Sequence, residues 1–319
     1  MFKPIRFIPD DTKIKFMFWS RYGYFASGLA CLASLLLFVF VGLNYGVDFK
    51  GGTVFVIRTE QPANLDELRS KVNSLGFGDA ELQDFGGSGH EVLIRLPTIE
   101  GGEDVQRTVQ DKVKQVLGAG IEYLSIDVVG PKVSGEYAQQ GIVAMLVAII
   151  GILIYIWFRF EWQFAIATVM SLLHDIMLSI GFFVLIRLEF NLQIIAALLT
   201  IVGYSLNDTV VVFDRVREYL RKYKQMPLAD LIDFSINSVL PRTLLTSVTT
   251  LLALFALYIF GGEVLKGFTL AMIWGVIIAT YSSIFSAASL LAILGVNRDA
   301  IQIQPSGSKV EKKTAAARP

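Results

Sequence analysis

The sequence predicts a polytopic α-helical membrane protein, with six transmembrane helices and a ferredoxin-like α+β periplasmic domain between helices 1 and 2. Three observations predict it. Of 319 residues, 54% are hydrophobic and only 18% charged, against about 25% charged in soluble domains, and mean hydropathy is +0.57. Several windows hold about 18 or more nearly uncharged apolar residues, enough to cross a hydrocarbon core of about 30 Å at about 1.5 Å per residue. The long stretch 44–140 instead alternates short β-branched segments with amphipathic helices.

Taken in order, residues 1–21 form an N-terminal segment and the first span covers Tyr22–Leu43. "GLAC" before the single cysteine, Cys31, is similar to a lipoprotein cleavage site, but the apolar run continues well past it, so this is an uncleaved helix. One cysteine allows no intrachain disulfide.

Residues 44–140 form the inserted domain. "TVFVIRT" (Thr53–Thr59) is a β-branched strand. Asn64–Gly76 is a helix with Asn64 as N-cap and Gly76 as stop. "DAELQDF" and "HEVLIRLP" are strands flanking the loop Gly86–Gly89. Gly102–Gly118 is a second helix whose Val105, Val109, Val113 and Val116 share one face. "IEYLSIDVVGP" is a last strand ended by Gly130-Pro131. The order β-α-β-β-α-β is ferredoxin-like.

Spans two to six, within 141–294, are Gly141–Phe158, Trp162–Ile186, Phe190–Phe213, Thr243–Phe260 and Phe268–Leu294, and 295–319 is a polar, basic tail expected to be disordered. Lys and Arg concentrate in the N-terminal segment (Lys3, Arg6, Lys13, Lys15, Arg21), between spans four and five (Arg215, Arg217, Arg221, Lys222, Lys224) and in the tail (Arg298, Lys309, Lys312, Lys313, Arg318). The short loops on the other side hold only Arg187 and Lys266. Both termini are therefore expected in the cytoplasm.

The polar residues inside the spans carry the functional signal. Span four contains Ser205, Asn207 and Asp208. A charge at mid-membrane costs about 2.5–3.5 kcal/mol on insertion scales, so Asp208 should face the bundle interior or a watery cavity. Spans four and five form an antiparallel hairpin around Lys224–Pro227, and 225 is the midpoint of 208 and 242. If both helices run unbroken to the turn, Asp208 and Arg242 meet at one depth. Pro241 is compatible as a kink or a new first turn. Such a pair suits a proton relay, with Asp208 as carrier and Arg242 as fixed counter-charge, or a structural ion pair. His174 and Asp175 near the middle of span three either extend a relay or form an interhelical hydrogen bond. In span six, Ala271, Gly275, Ala279, Ser283 and Ala287 make a stripe of small residues for close helix approach, inside the chain or toward another subunit.

No phosphate-binding loop, metal-ligand spacing or nucleophile triad is present, so neither an enzyme nor a cofactor is expected. The Gly-Gly pairs at Gly51, Gly86, Gly101 and Gly261 read as turns or hinges. A formal net charge of +0 argues against a nucleic-acid partner.

Four stretches together carry a resemblance: "NYGVDFKGG", "GYSLNDTVVVFDRVRE", "SVLPRTLLTSVTT" and "FGGEVLKGFTLAMIWGVIIATYSSIF". With "HD" in span three, they are similar to the SecF family of bacterial protein-export subunits. The resemblance implies pairing with SecD, and a likeness of the pair to resistance-nodulation-division transporters. It implies a place in the inner membrane beside the SecYEG channel and the SecA motor, and use of the proton-motive force to assist export of unfolded preproteins. It assigns Asp208 and Arg242 to the proton path and makes Asp48, Gly51 and Gly52 the family's loop motif. Two readings of other kinds remain. One is half of a small-molecule efflux transporter; the other is a non-conducting scaffold.

Overall fold

The computed structural model describes residues 12–84, 89–97, 99, 102–118 and 120–296. Lys3, Arg6, Gly86, Gly101 and the basic tail lie outside the described residues. In chain order the elements are α1 (Phe16–Phe40), β1 (Asn44–Tyr45), α2 (Val47–Lys50), β2 (Gly52–Thr59), α3 (Leu65–Asn73), β3 (Glu81–Asp84), β4 (Glu91–Leu96), α4 (Gly102–Leu117) and β5 (Ile121–Val129). They continue as α5 (Pro131–Arg159), α6 (Trp162–Leu185), β6 (Glu189–Phe190), α7 (Leu192–Lys222), α8 (Leu228–Phe260), α9 (Glu263–Tyr281), a π-helical turn (Ser282–Ala287) and α10 (Ala288–Leu294).

Among the described residues, six helical segments are long and apolar enough to span a membrane, the last being α9, the π turn and α10 together. The helices extend beyond the apolar windows because polar residues can continue a helix outside the membrane. Thus α5 starts at Pro131, ten residues before Gly141, with Pro131 in the first turn, where its missing N–H costs nothing. The helix α8 starts at Leu228 and passes through Pro241 without ending. The hairpin between α7 and α8 is therefore two unbroken helices joined by 223–227.

The inserted domain is a four-stranded antiparallel sheet in the order β3-β4-β2-β5, with α3 and α4 packed together. Counting only these strands, the order is 2-3-1-4, the arrangement of a ferredoxin-like βαββαβ unit. Asn64 caps α3 by accepting from the backbone N–H groups of Asp66 and Glu67 at 3.2 and 3.3 Å. On α4, Val109, Val113 and Leu117 are buried, and Val105 packs beside them. The fourth position of the stripe is Leu117 rather than Val116, because buried residues follow i, i+4 spacing.

The transmembrane core lies between α6, α7 and the α9–α10 segment, where Phe164, Ala167, Val212, Phe213, Val216 and Ala287 are fully buried. The outer faces of α1 and α5 carry exposed apolar side chains, among them Leu32, Phe40, Val147 and Ile150, as lipid contact requires.

Candidate functional site

The centre of the bundle contains two polar layers. The upper one, nearer the inserted domain, is closed around its carboxylate, while His174 Nε2 is buried with no hydrogen-bond partner among the described residues. Asp175, fully buried on α6, accepts from Ser205 Oγ of α7 at 2.5 Å and Ser282 Oγ at 2.7 Å, both on Oδ2. Its Oδ1 lies 2.9 Å from Nδ1 of His174. One carboxylate thus joins three membrane segments. Ser282 opens the π turn, and such turns recur in helices at functional sites. Beyond His174, the Tyr281 ring lies at 6.3 Å, and its hydroxyl is 3.0 Å from Ser27 Oγ of α1.

The lower layer is open. Asp208 lies one turn below Ser205 on α7 and is buried, and its Oδ2 has no hydrogen-bond partner among the described residues. The hydroxyls of Thr209, Thr243 and Ser171 are likewise buried and unpartnered. These residues share a height. Ser171 is one turn below Asp175 on α6. Thr243 is one turn below Ser247 on α8, and Ser247 accepts from the Tyr204 hydroxyl of α7 at 3.5 Å. Ser247 also meets Thr280 Oγ1 at 2.7 Å.

Arg242 is at this height, next to Thr243 on α8. It does not form the direct pair with Asp208 expected from the hairpin, since no ion pair within 4.0 Å joins the two among the described residues. The inward face of α8 is Leu240, Thr243 and Ser247; Arg242, about 100° around the helix from Thr243, points outward and is exposed. Asn207 is also exposed, one residue off the buried face of α7. The two belong to outward polar strips. On α7 the exposed residues Gln193, Ala196, Thr200, Gly203 and Asn207 repeat at helical spacing. On the adjoining α8, Arg242, Thr246, Thr249 and Ala253 do the same. Thr200, Thr246 and Thr249 satisfy their hydroxyls on carbonyls of their own helices; to Asn207 and Arg242 lipid hydrocarbon offers no hydrogen bonds.

The small-residue stripe faces inward. Ala271, Gly275, Ala279, Ser283 and Ala287 are all buried, and a Cβ at Gly275 would collide with the Ile201 side chain of α7. Gly275 therefore sets the distance between α7 and α9.

The loop Asp48-Gly51-Gly52 has a defined task. Asp48 Oδ2 accepts from the Leu192 backbone N–H at 2.8 Å, capping the start of α7 from 144 positions away. Gly51 and Gly52 have φ of 71° and 121°, and a side chain at Gly52 would strike the Leu96 carbonyl. The turn that delivers Asp48 is accessible only to glycine. Among the described residues no cluster of His, Cys, Asp and Glu could hold a metal.

The comparisons agree along the chain. Residues 36–63 match the SecD/SecF GG motif, and 108–297 match the family described as protein export membrane protein SecD/SecF, C-terminal. The protein translocase subunit SecF of Rhodobacter capsulatus is 41% identical over 95% of both chains. The chain belongs to the SecF family of protein translocase subunits. Protein translocase subunit SecDF of Brucella abortus is 43% identical over 92% of this chain, which spans 38% of that longer protein. The crystal structure of SecDF from Thermus thermophilus, a translocon-associated membrane protein, superposes with a TM-score of 0.80 at 35% identity, covering 90% of this chain and 39% of that one. These findings bear out the expected family, the helical membrane fold and an accessory role in Sec translocation.

Sequence reasoning missed Ser282 and Tyr281, whose "YSSIF" reads as ordinary span. Only the pairing of span six with span three gives them a role.

Proposed function

We propose that this chain uses the proton-motive force to assist preprotein export, with Asp208 as the proton carrier and Arg242 as its fixed counter-charge. The observation that carries the reading is the contrast between the two buried carboxylates. Asp175 is saturated by three contacts on three segments, which suits a pin. Asp208 has an unpartnered oxygen beside three unpartnered hydroxyls, which suits a group that exchanges a proton. The ion gradient supplies about 2.3 kcal/mol per elementary charge per 100 mV.

Partners follow from the strips on α7 and α8. Their polar and small residues, Asn207 and Arg242 included, favour cover by another membrane subunit over lipid. SecD fits, because SecD and SecF are joined in the SecDF relatives. In this reading Arg242 completes the site at that interface, the inserted domain 44–140 works on the periplasmic side of the inner membrane, and both termini are cytoplasmic. The SecYEG channel, the SecA motor and the preprotein complete the assembly.

The test is reconstitution with SecD and the channel in vesicles, comparing export with and without a proton gradient for Asp208→Asn and Arg242→Met. Both variants should lose the gradient-dependent part and keep the remainder. Full gradient dependence in both overturns the reading and leaves a scaffold. Repeating the wild-type measurement in sodium-free buffer separates H⁺ from Na⁺.

A further inference from the structure

We infer that a joint of four residues, Asp48, Glu81, Arg95 and Glu189, fastens the inserted domain to the head of α7, so that the two move together. The inference rests on the proposed function for what moves α7, and on independent geometry for the joint.

Strand β1, at the entrance to the domain, pairs in parallel with β6, immediately before α7. Gly46 N–H donates to the Phe190 carbonyl at 2.8 Å, and Asn44 Nδ2 donates to the Arg187 carbonyl at 3.1 Å. Asp48 holds Leu192 N–H, while Asn191 caps Ile194 N–H at 3.1 Å. Tyr45, Phe49 and Phe190 form a three-ring cluster with centroids 5.7 to 6.2 Å apart.

The domain's own sheet adds the decisive contact. Arg95 of β4 has a side chain only 7% exposed. Its Nη1 donates to Glu81 Oε2 of β3 at 3.1 Å, and its Nη2 makes an ion pair with Glu189 Oε2 at 2.8 Å without hydrogen-bond alignment. A buried guanidinium needs counter-charges, and among the described residues Glu189 is the one outside the domain. Gly46 leaves room for it, because a Cβ there would sit 2.7 Å from Glu189 Oε1. Below the joint, α7 runs without a break from Leu192 to Lys222. Asp208 is sixteen residues down, about 24 Å along a stiff helix. A displacement of α7 at the Asp208 layer therefore reaches the domain through the joint.

The experiment is a switchable joint. Asn44 and Glu189 are Cα partners in the β1–β6 ladder. In a Cys31→Ser background, Asn44→Cys/Glu189→Cys removes the Arg95 partner and, when oxidised, replaces it with a covalent tie. Export is measured in reconstituted vesicles with the assembled complex, before and after reduction. The oxidised form should retain gradient-dependent export, and the reduced form should lose about fivefold or more. Equal export in the oxidised and reduced forms overturns the joint, as does a reduced form at wild-type level. Proton flux in the same vesicles separates the two ideas. A broken joint leaves flux intact, whereas Asp208→Asn abolishes it if the carrier reading holds. Unchanged flux in Asp208→Asn removes the carrier and leaves the joint to be judged on the redox difference alone.

Discussion

Replacing Asp175 separates a pin from a proton carrier. In Asp175→Leu three contacts vanish, from His174 Nδ1, Ser205 Oγ and Ser282 Oγ. Interhelical hydrogen bonds in membranes contribute about 0.6 kcal/mol on average, so the loss should be about 2 kcal/mol. Ser282 moderates it, because its hydroxyl also contacts the Ala279 carbonyl at 3.2 Å. Asp175→Asn keeps the geometry. The amide oxygen accepts from both serines, and the NH₂ donates to His174 Nδ1 once the ring proton sits on Nε2. The expected change is below about 1 kcal/mol, within the range of a single bond. Unfolding is measured in mixed micelles of increasing denaturing detergent, with gradient-dependent export measured in parallel. The Asn variant should remain stable and coupled. If it unfolds as readily as the Leu variant, the layer is held by charge rather than by bonding geometry. If it stays folded but loses gradient dependence, Asp175 carries the proton and the assignment of roles is wrong.

Two further predictions test the packing. Gly275→Ala should destabilise the bundle by about 1–3 kcal/mol through collision with Ile201, and adding Ile201→Ala should recover much of it; the melting temperatures of the single and double variants decide. Asn64→Ala should cost the inserted domain about 1 kcal/mol through loss of the α3 cap, seen as faster amide exchange in the first turn of α3, with α4 unaffected.

The fold was legible because its strongest signals are local. Apolar windows show the spans, and period-2 and period-3.6 patterns show the βαββαβ unit. What escaped depends on partners distant in sequence. The helix α5 begins at Pro131 because a proline that ends a strand also starts a helix well, and composition alone cannot tell the two apart. The depth of Asp208 against Arg242 was legible, since 204 and 247 do meet about the same midpoint. The azimuth was not. One residue is about 100° on a helix, so Thr243 takes the inward position and Arg242 points outward. Spacing about the turn sets the height of a residue and leaves its rotation open. The closed Asp175 layer escaped for the same reason, as it joins α6, α7 and the π turn across 107 positions. The glycine motif is legible as a turn and, by resemblance, as the family's loop motif, but its task is not, because the Asp48–Leu192 bond needs the fold to bring its ends together.

The π turn lies where its segment passes from close packing on α7 to the Asp175 layer and the core beneath. An extra residue in a helical turn shifts everything beyond it by about 100° relative to a continuous α-helix. Above the turn, Ala271, Gly275 and Ala279 face inward, and Gly275 meets α7 through Ile201. Ser282, at the first position of the turn, reaches Asp175. From its last residue onward, Ala287, Ala288 and Leu291 fill the core beneath. In a plain α-helix the small-residue stripe that sets the α7 spacing and the apolar residues of the lower core would drift apart by one position. The π turn presents Ser282 to Asp175 beneath the close approach at Gly275, which lies in the regular helix α9 above it.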